Sequence, residues 1–166
     1  MLLNSDSKRL LRKYPERSRL GSPREFFMSP LWQHRIEIRV QYNETDGQGR
    51  VHHGQYINYF ERGRVELLRA RGQSYREIER GGLYLVVSEM SLKYLGAAQF
   101  DDLLQLTTRV EKIRGVRMDH SYEIVKLDEQ GAGPQHIVEG HSVVACVDRS
   151  GKVRPLPPHL RVLNAR

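Results

Sequence analysis

Residues 41–72 read QYNETDGQGRVHHGQYINYFERGRVELLRARG, and their reading decides the fold. Asp46 opens a turn punctuated by Gly47, Gly49 and Gly54, with two adjacent histidines, His52 and His53, inside it. A helical pattern follows. Tyr56, Phe60, Leu67 and Leu68 recur at spacings of three and four, while Glu61, Arg62, Arg69 and Arg71 fall elsewhere. That periodicity predicts an amphipathic helix over 56–71, stopped by Gly72. Gly63 in mid-helix costs about 1 kcal/mol relative to alanine, so a close approach of the helix backbone to a neighbouring layer is expected there.

On the N-terminal side, HRIEIRVQY (34–42) alternates strictly, with Ile36, Ile38, Val40 and Tyr42 on one side. Period two with one apolar face predicts a half-buried strand. On the C-terminal side, SYREIERGG adds a short helical turn, and four strand patterns follow at 83–95, 103–113, 118–128 and 136–148. The joints GAAQFDD, IRGVR and DEQGAGP are turn-like, which predicts an antiparallel meander. RPLPPHL closes the pattern in a loop or short helix. The fold class is α+β: a five-stranded antiparallel sheet with one principal helix. One helix covers one sheet face, so the other face and the edges call for a partner, with homo-oligomerisation as the natural solution.

The chain has 166 residues, a prior for one domain. No apolar run approaches the length of a transmembrane helix, and no signal-peptide pattern stands at the start. The single cysteine, Cys146, sits among valines and reads as a buried small residue; a cytoplasmic protein is expected. The net charge of +7 is unevenly placed. Lys8, Arg9, Arg12, Lys13, Arg17, Arg19 and Arg24 face only Asp6, Glu16 and Glu25 within residues 1–30. That segment reads as a basic, disordered arm, leaving residues 31–166 as the folded domain. The bland account of the arm is a solvated extension, or an over-long start with Met28 as initiator. The body lacks a basic stripe interleaved with aromatics, which argues against nucleic acid as a partner.

Two blocks carry a resemblance. The first is Asp46, Gly47-Gln48-Gly49, Val51, His52, His53, Tyr56 and the helix segment Phe60-Glu61-Arg62-Gly63-Arg64; the second is KYLGAAQFDDLL, with Tyr94, Ala98, Asp101 and Asp102. In this order they resemble the hotdog fold, in the 4-hydroxybenzoyl-CoA thioesterase family and its Tol–Pal-associated acyl-CoA thioesterase branch. The resemblance implies a sheet wrapped around one principal helix. It implies hydrolysis of an acyl-CoA to free acid and CoA, with no metal or redox cofactor and coenzyme A entering only as part of the substrate. It also implies a homodimer or homotetramer. Gly54, Ala97, Gly63 and Arg50 depart from the family's usual residues.

The resemblance gives the opening stretch a chemical sense. Helix N-termini present free N–H groups and partial positive charge, and a tight loop entering the helix aims such donors at a carbonyl oxygen. The backbone N–H at His53 matches the family's oxyanion donor. Asp46 matches the acid that attacks the thioester carbonyl or activates water; read from the residues alone, it is a turn-forming Asx residue. The His53 imidazole either orients Asp46 or water, or only packs locally. Gly49, Val51, His52, Tyr56 and Glu61 are expected around the substrate, with Glu61 and Arg64 able to pair on the helix surface. Lys93, Arg109, Lys112, Arg114 and Arg117 are candidates for the CoA phosphates. Adjacent histidines in an extended stretch point to opposite sides, so no metal site is expected. The Asp46–His intervals of six and seven argue against the enoyl-CoA hydratase branch. A non-catalytic acyl-thioester or acyl-carrier-binding protein is the alternative.

Overall fold

The computed structural model describes residues 32–127 and 133–161; the basic arm lies outside them. Strand β1 (Trp32–Arg39) leads through a short 3-10 turn (Tyr42–Glu44) into helix α1 (Gln55–Ala70) and the short α2 (Tyr75–Arg80). Strands β2 (Leu83–Tyr94), β3 (Leu103–Arg114), β4 (Arg117–Lys126) and β5 (Gln135–Asp148) follow, and α3 (Pro158–Arg161) ends the described chain. All strand pairs are antiparallel, in the order β1-β3-β4-β5-β2. This is the five-stranded sheet around one principal helix that the resemblance implies.

The expected meander holds only for β3, β4 and β5. β2 lies at the far edge, against β5, instead of beside its sequence neighbour β3. The segment between β1 and β2 carries α1 across the sheet, so the chain re-enters at the opposite edge. The 95–102 joint then returns across the sheet end, with Asp101 N–H donating to Val40 C=O (3.1 Å) and Val40 N–H to Asp102 C=O (3.0 Å).

α1 buries Tyr56, Tyr59, Phe60, Gly63, Arg64, Leu67 and Leu68 against the sheet. The close approach at Gly63 is real: a Cβ there would stand 2.2 Å from Thr108 Oγ1 and 2.8 Å from Leu106 Cδ2. Gly140 on β5 makes matching room for the Phe60 ring, which stacks on Tyr122 with centroids 4.2 Å apart. One apolar cluster, with Ile38, Phe60, Leu106 and Ile124, packs below the start of α1. A second, with Trp32, Leu67, Val110 and Leu160, packs at its far end. Between them run buried polar groups: Arg64, Thr108, His120 and Ser142. Arg64 Nη1 donates to Tyr122 Oη at 2.9 Å, and that hydroxyl meets Ser142 Oγ at 2.6 Å. Arg64 thus turns into the core, and the expected surface pairing with Glu61 is not made.

The sheet face turned away from α1 carries Arg35, Glu37, Gln105, Arg109, Glu123, Glu139 and His141, in cross-strand register. That face is polar and needs no apolar cover. Among the exposed apolar side chains, Val86 and Val87 lie on the β2 edge, at 41% and 44% exposure. Cys146 is buried, and burial raises its thiol pKa. No helix among the described residues is long and apolar enough to cross a membrane.

Candidate active site

Backbone pairing closes the Asp46 loop as a small hairpin. His52 N–H donates to Glu44 C=O (2.9 Å), Thr45 bridges Val51, and Asp46 N–H donates to Arg50 C=O (2.8 Å). At the tip, Gly49 N–H returns to Asp46 C=O at 2.9 Å, with Gly49 at φ +71°, where a side chain would strain the backbone. Asp46 Oδ1 accepts the Gln48 N–H at 2.8 Å, with Arg50 N at 3.4 Å. The turn-forming reading of Asp46 is therefore correct for one oxygen. The other, Oδ2, has no hydrogen-bond partner among the described residues, and the residue is half-buried. The loop is anchored below: Val51 is buried and its N–H donates to Ala98 C=O (2.9 Å), while Arg50 bridges Gln99.

His52 and His53 are both exposed, and their rings lie face to face at 4.1 Å between centroids with a tilt of 35°. The expectation of opposite-pointing side chains is wrong, because residues 52–54 turn into the helix and do not continue an extended strand. His52 Nδ1 accepts the Gly54 N–H (3.2 Å), and His53 C=O accepts the Tyr94 hydroxyl (3.0 Å). The 53–54 peptide is thus held on both sides. The preceding peptide is held at its oxygen, where His52 C=O accepts the Gln55 N–H (2.9 Å), while the His53 N–H has no acceptor among the described residues. That free donor, at the start of α1, is what oxyanion stabilisation needs. The His53 imidazole has no hydrogen-bond partner among the described residues. No group of three metal-ligating side chains occurs among them either.

Tyr56 is buried and packs edge-on against Tyr59 and Tyr94, each at 5.8 Å; burial raises its hydroxyl pKa. Glu61 is exposed one turn further along α1. It borders a cavity of about 330 Å³ shared with Arg64, Val65, Tyr75, Glu79, Leu85, Val87 and Val144, between α1 and the β2 edge.

The phosphate candidates are dispersed. Lys93 is exposed on β2, in register with Glu139. Arg109 is engaged by Glu123 (3.0 Å) and Gln33 (3.1 Å), and Arg114 by Asp119 (3.6 Å). Lys112, Arg114 and Arg117 sit at the β3–β4 turn, whereas Asp46 follows the C-terminal end of β1, which pairs with the start of β3. Within one protomer these cations stand at the opposite end of the sheet from Asp46.

Sequence reasoning missed Glu44. Its carboxylate accepts from Gln41 N–H (2.8 Å), Tyr59 OH (2.7 Å) and Gln55 Nε2 (2.9 Å). The available signal was Gln55 and Tyr59 at i and i+4, two donors on one helix face with no assigned acceptor.

The sequence model of the thioesterase superfamily matches residues 48–132. The acyl-CoA thioester hydrolase YbgC of Escherichia coli O6:H1 is 32% identical over 124 residues, covering 74% of this chain and 89% of that one. The Haemophilus influenzae acyl-CoA thioesterase YbgC is also 32% identical, covering 72% and 83%. Among solved structures, a probable thioesterase from Bartonella henselae superposes with a TM-score of 0.68 at 32% identity, over 75% of this chain and 99% of that one. A 4-hydroxybenzoyl-CoA thioesterase, at 12% identity and TM-score 0.72, covering 80% and 99%, shares the fold. With Asp46 open on one oxygen, a free N–H at the helix start and these relatives, the chain belongs to the thioesterase superfamily.

Proposed function

We propose that the protein hydrolyses acyl-CoA thioesters to a free acid and CoA. The observation that carries this is the pairing of Asp46, with Oδ2 unoccupied, and the unpaired His53 N–H at the start of α1. Asp46 acts on the carbonyl carbon, either directly, forming an acyl anhydride, or by taking a proton from an attacking water. The His53 N–H holds the oxygen as it gains charge. The carbon–sulfur bond then breaks, and CoA leaves as thiolate and takes a proton; on the direct route a water then splits the anhydride, its oxygen ending in the acid or in the regenerated Asp46 carboxylate, and on the water route its oxygen ends in the acid. The His53 ring is exposed, stacks on His52 and makes no hydrogen bond among the described residues, which supports a role through its backbone. The relatives named as acyl-CoA thioester hydrolases support the substrate class.

The working unit is a homodimer formed edge to edge through β2, whose outer side pairs with no strand among the described residues and whose exposed valines favour cover. Two-fold antiparallel pairing of β2 reverses the second sheet. It brings that copy's β3–β4 turn, with Lys112, Arg114 and Arg117, to the end that holds Asp46 in the first, where the CoA phosphates need cations.

Thiol release from short, long and aromatic acyl-CoAs tests the activity. Turnover of at least one thioester is expected; cleavage of none across the panel contradicts it and favours the acyl-binding alternative.

A further inference from the structure

Two parts of the site belong to different segments. Asp46 rides on the hairpin loop, and the His53 N–H rides on the start of α1. Rate depends on holding them at a fixed spacing, and a misplacement of about 1 Å costs roughly 10²-fold. Glu44 is bonded to both segments. Its Oε1 accepts Gln55 Nε2 at 2.9 Å, and Gln55 Oε1 in turn accepts Asn58 Nδ2 at 2.9 Å. Its Oε2 accepts Tyr59 OH at 2.7 Å and Gln41 N–H at 2.8 Å. Its backbone C=O accepts the His52 N–H at 2.9 Å, next to the peptide that carries the His53 donor.

We propose that Glu44 is a positioning residue, whose carboxylate fixes the Asp46 loop against the first turns of α1 and so sets the spacing between Asp46 and the His53 N–H. This rests on the function proposed above. Three donors occupy the two oxygens of Glu44, which suits it to holding the loop, whereas Asp46 keeps Oδ2 open among the described residues. The contacts to Gln55 and Tyr59 are part-buried, and hydrogen bonds to a carboxylate are the stronger kind. Burial, followed by the neighbouring Glu44, raises the Tyr59 pKa and keeps its hydroxyl protonated, as a donor. Tyr59 is itself 1% exposed, so the tie is anchored in the core.

The test uses the full chain and an acyl-CoA that the wild type turns over. Glu44→Ala is expected to lower kcat about 10- to 100-fold, the scale of a small displacement, with KM nearly unchanged. Tyr59→Phe, which removes one hydroxyl, is expected to lower kcat by less. The double variant should be no slower than Glu44→Ala, because residues acting as a unit are not additive. Unchanged kcat in both single variants, a rise in KM alone, or losses that multiply would each overturn the proposal. If Glu44→Ala does not fold, Tyr59→Phe and Gln55→Ala decide it: unchanged kcat in both overturns it. Amide hydrogen exchange over residues 41–55 in Tyr59→Phe reads the tie without activity. Faster exchange there supports it and unaltered exchange overturns it, whereas a wild type that cleaves no thioester sinks only the assigned function.

Discussion

At the scale of single residues, two positions put packing and charge to the test. Gly63→Ala gains about 1 kcal/mol of helix propensity. The new methyl meets Thr108 Oγ1 at 2.2 Å and Leu106 Cδ2 at 2.8 Å, under a helix packed on both sides of that point. Overpacking of this kind costs about 1–3 kcal/mol, so a net loss of stability is expected; an unchanged or higher urea midpoint would contradict it. His120 is 3% exposed, and burial, with Arg64 and His141 adding repulsion, lowers its pKa from 6.5 to about 3. The unfolded chain therefore binds a proton between pH 6.5 and about 3 that the native one refuses. Stability falls as pH drops through that window, by up to ~1.4 kcal/mol per pH unit, and is unaffected above it. Denaturation curves from pH 7.5 to 4 should be less pH-dependent in His120→Gln than in the wild type; parallel pH dependence would contradict this. Neither Arg64 nor His120 was legible as buried from the sequence. An arginine on a helix and a histidine in a strand are ordinarily read as exposed or half-exposed, and only the stacked core around Tyr122 shows what holds them.

At the scale of elements, the strands and the principal helix are legible to within a few residues: period two marks 34–42 and 103–113, period 3.6 marks the helix, and branched residues between turn-like joints mark the rest. The order of strands was not legible. Short joints argue for neighbours, yet β2 crosses to the far edge, since nothing in a strand's own sequence records which edge it joins. The Asp46 turn was legible through its glycines, and Gly49 at φ +71° shows why one is required there. Gly49→Val is accordingly expected to distort the turn and lower thioester turnover by 10-fold or more, given the sensitivity of positioned groups, while leaving the distant Trp32 cluster, and hence native tryptophan fluorescence, unchanged. Turnover equal to wild type would contradict that. The ring pairing of His52 and His53 is not legible because nothing in the sequence marks that the chain leaves the extended hairpin at 52 and turns at 53–54.

At the scale of the whole molecule, the sheet offers two edges but only β2 couples a long unpaired side with exposed valines. Val87→Lys puts charge on that edge, a means by which natural sheets prevent edge pairing. If the proposed edge-to-edge dimer is the working unit, sedimentation is expected to show a shift to monomer, with loss of activity, because the cations proposed for the CoA phosphates then stay far from Asp46. A monomer with full activity, or an unchanged dimer, would contradict the edge assignment. The count of one helix to five strands is what makes a partner expected. The place of the partner was not legible, since the sheet face left bare by the helix turns out to be charged.

The most direct measurement is thiol release by the wild type and by Asp46→Asn on the best acyl-CoA of the panel. The substitution keeps the shape and the Oδ1 contact with Gln48 but removes the charge. A fall in kcat of about 10²–10⁴, the range of a positioned acid–base group, is the expected result. An Asp46→Asn enzyme as fast as the wild type would contradict the assignment of the reaction to this loop.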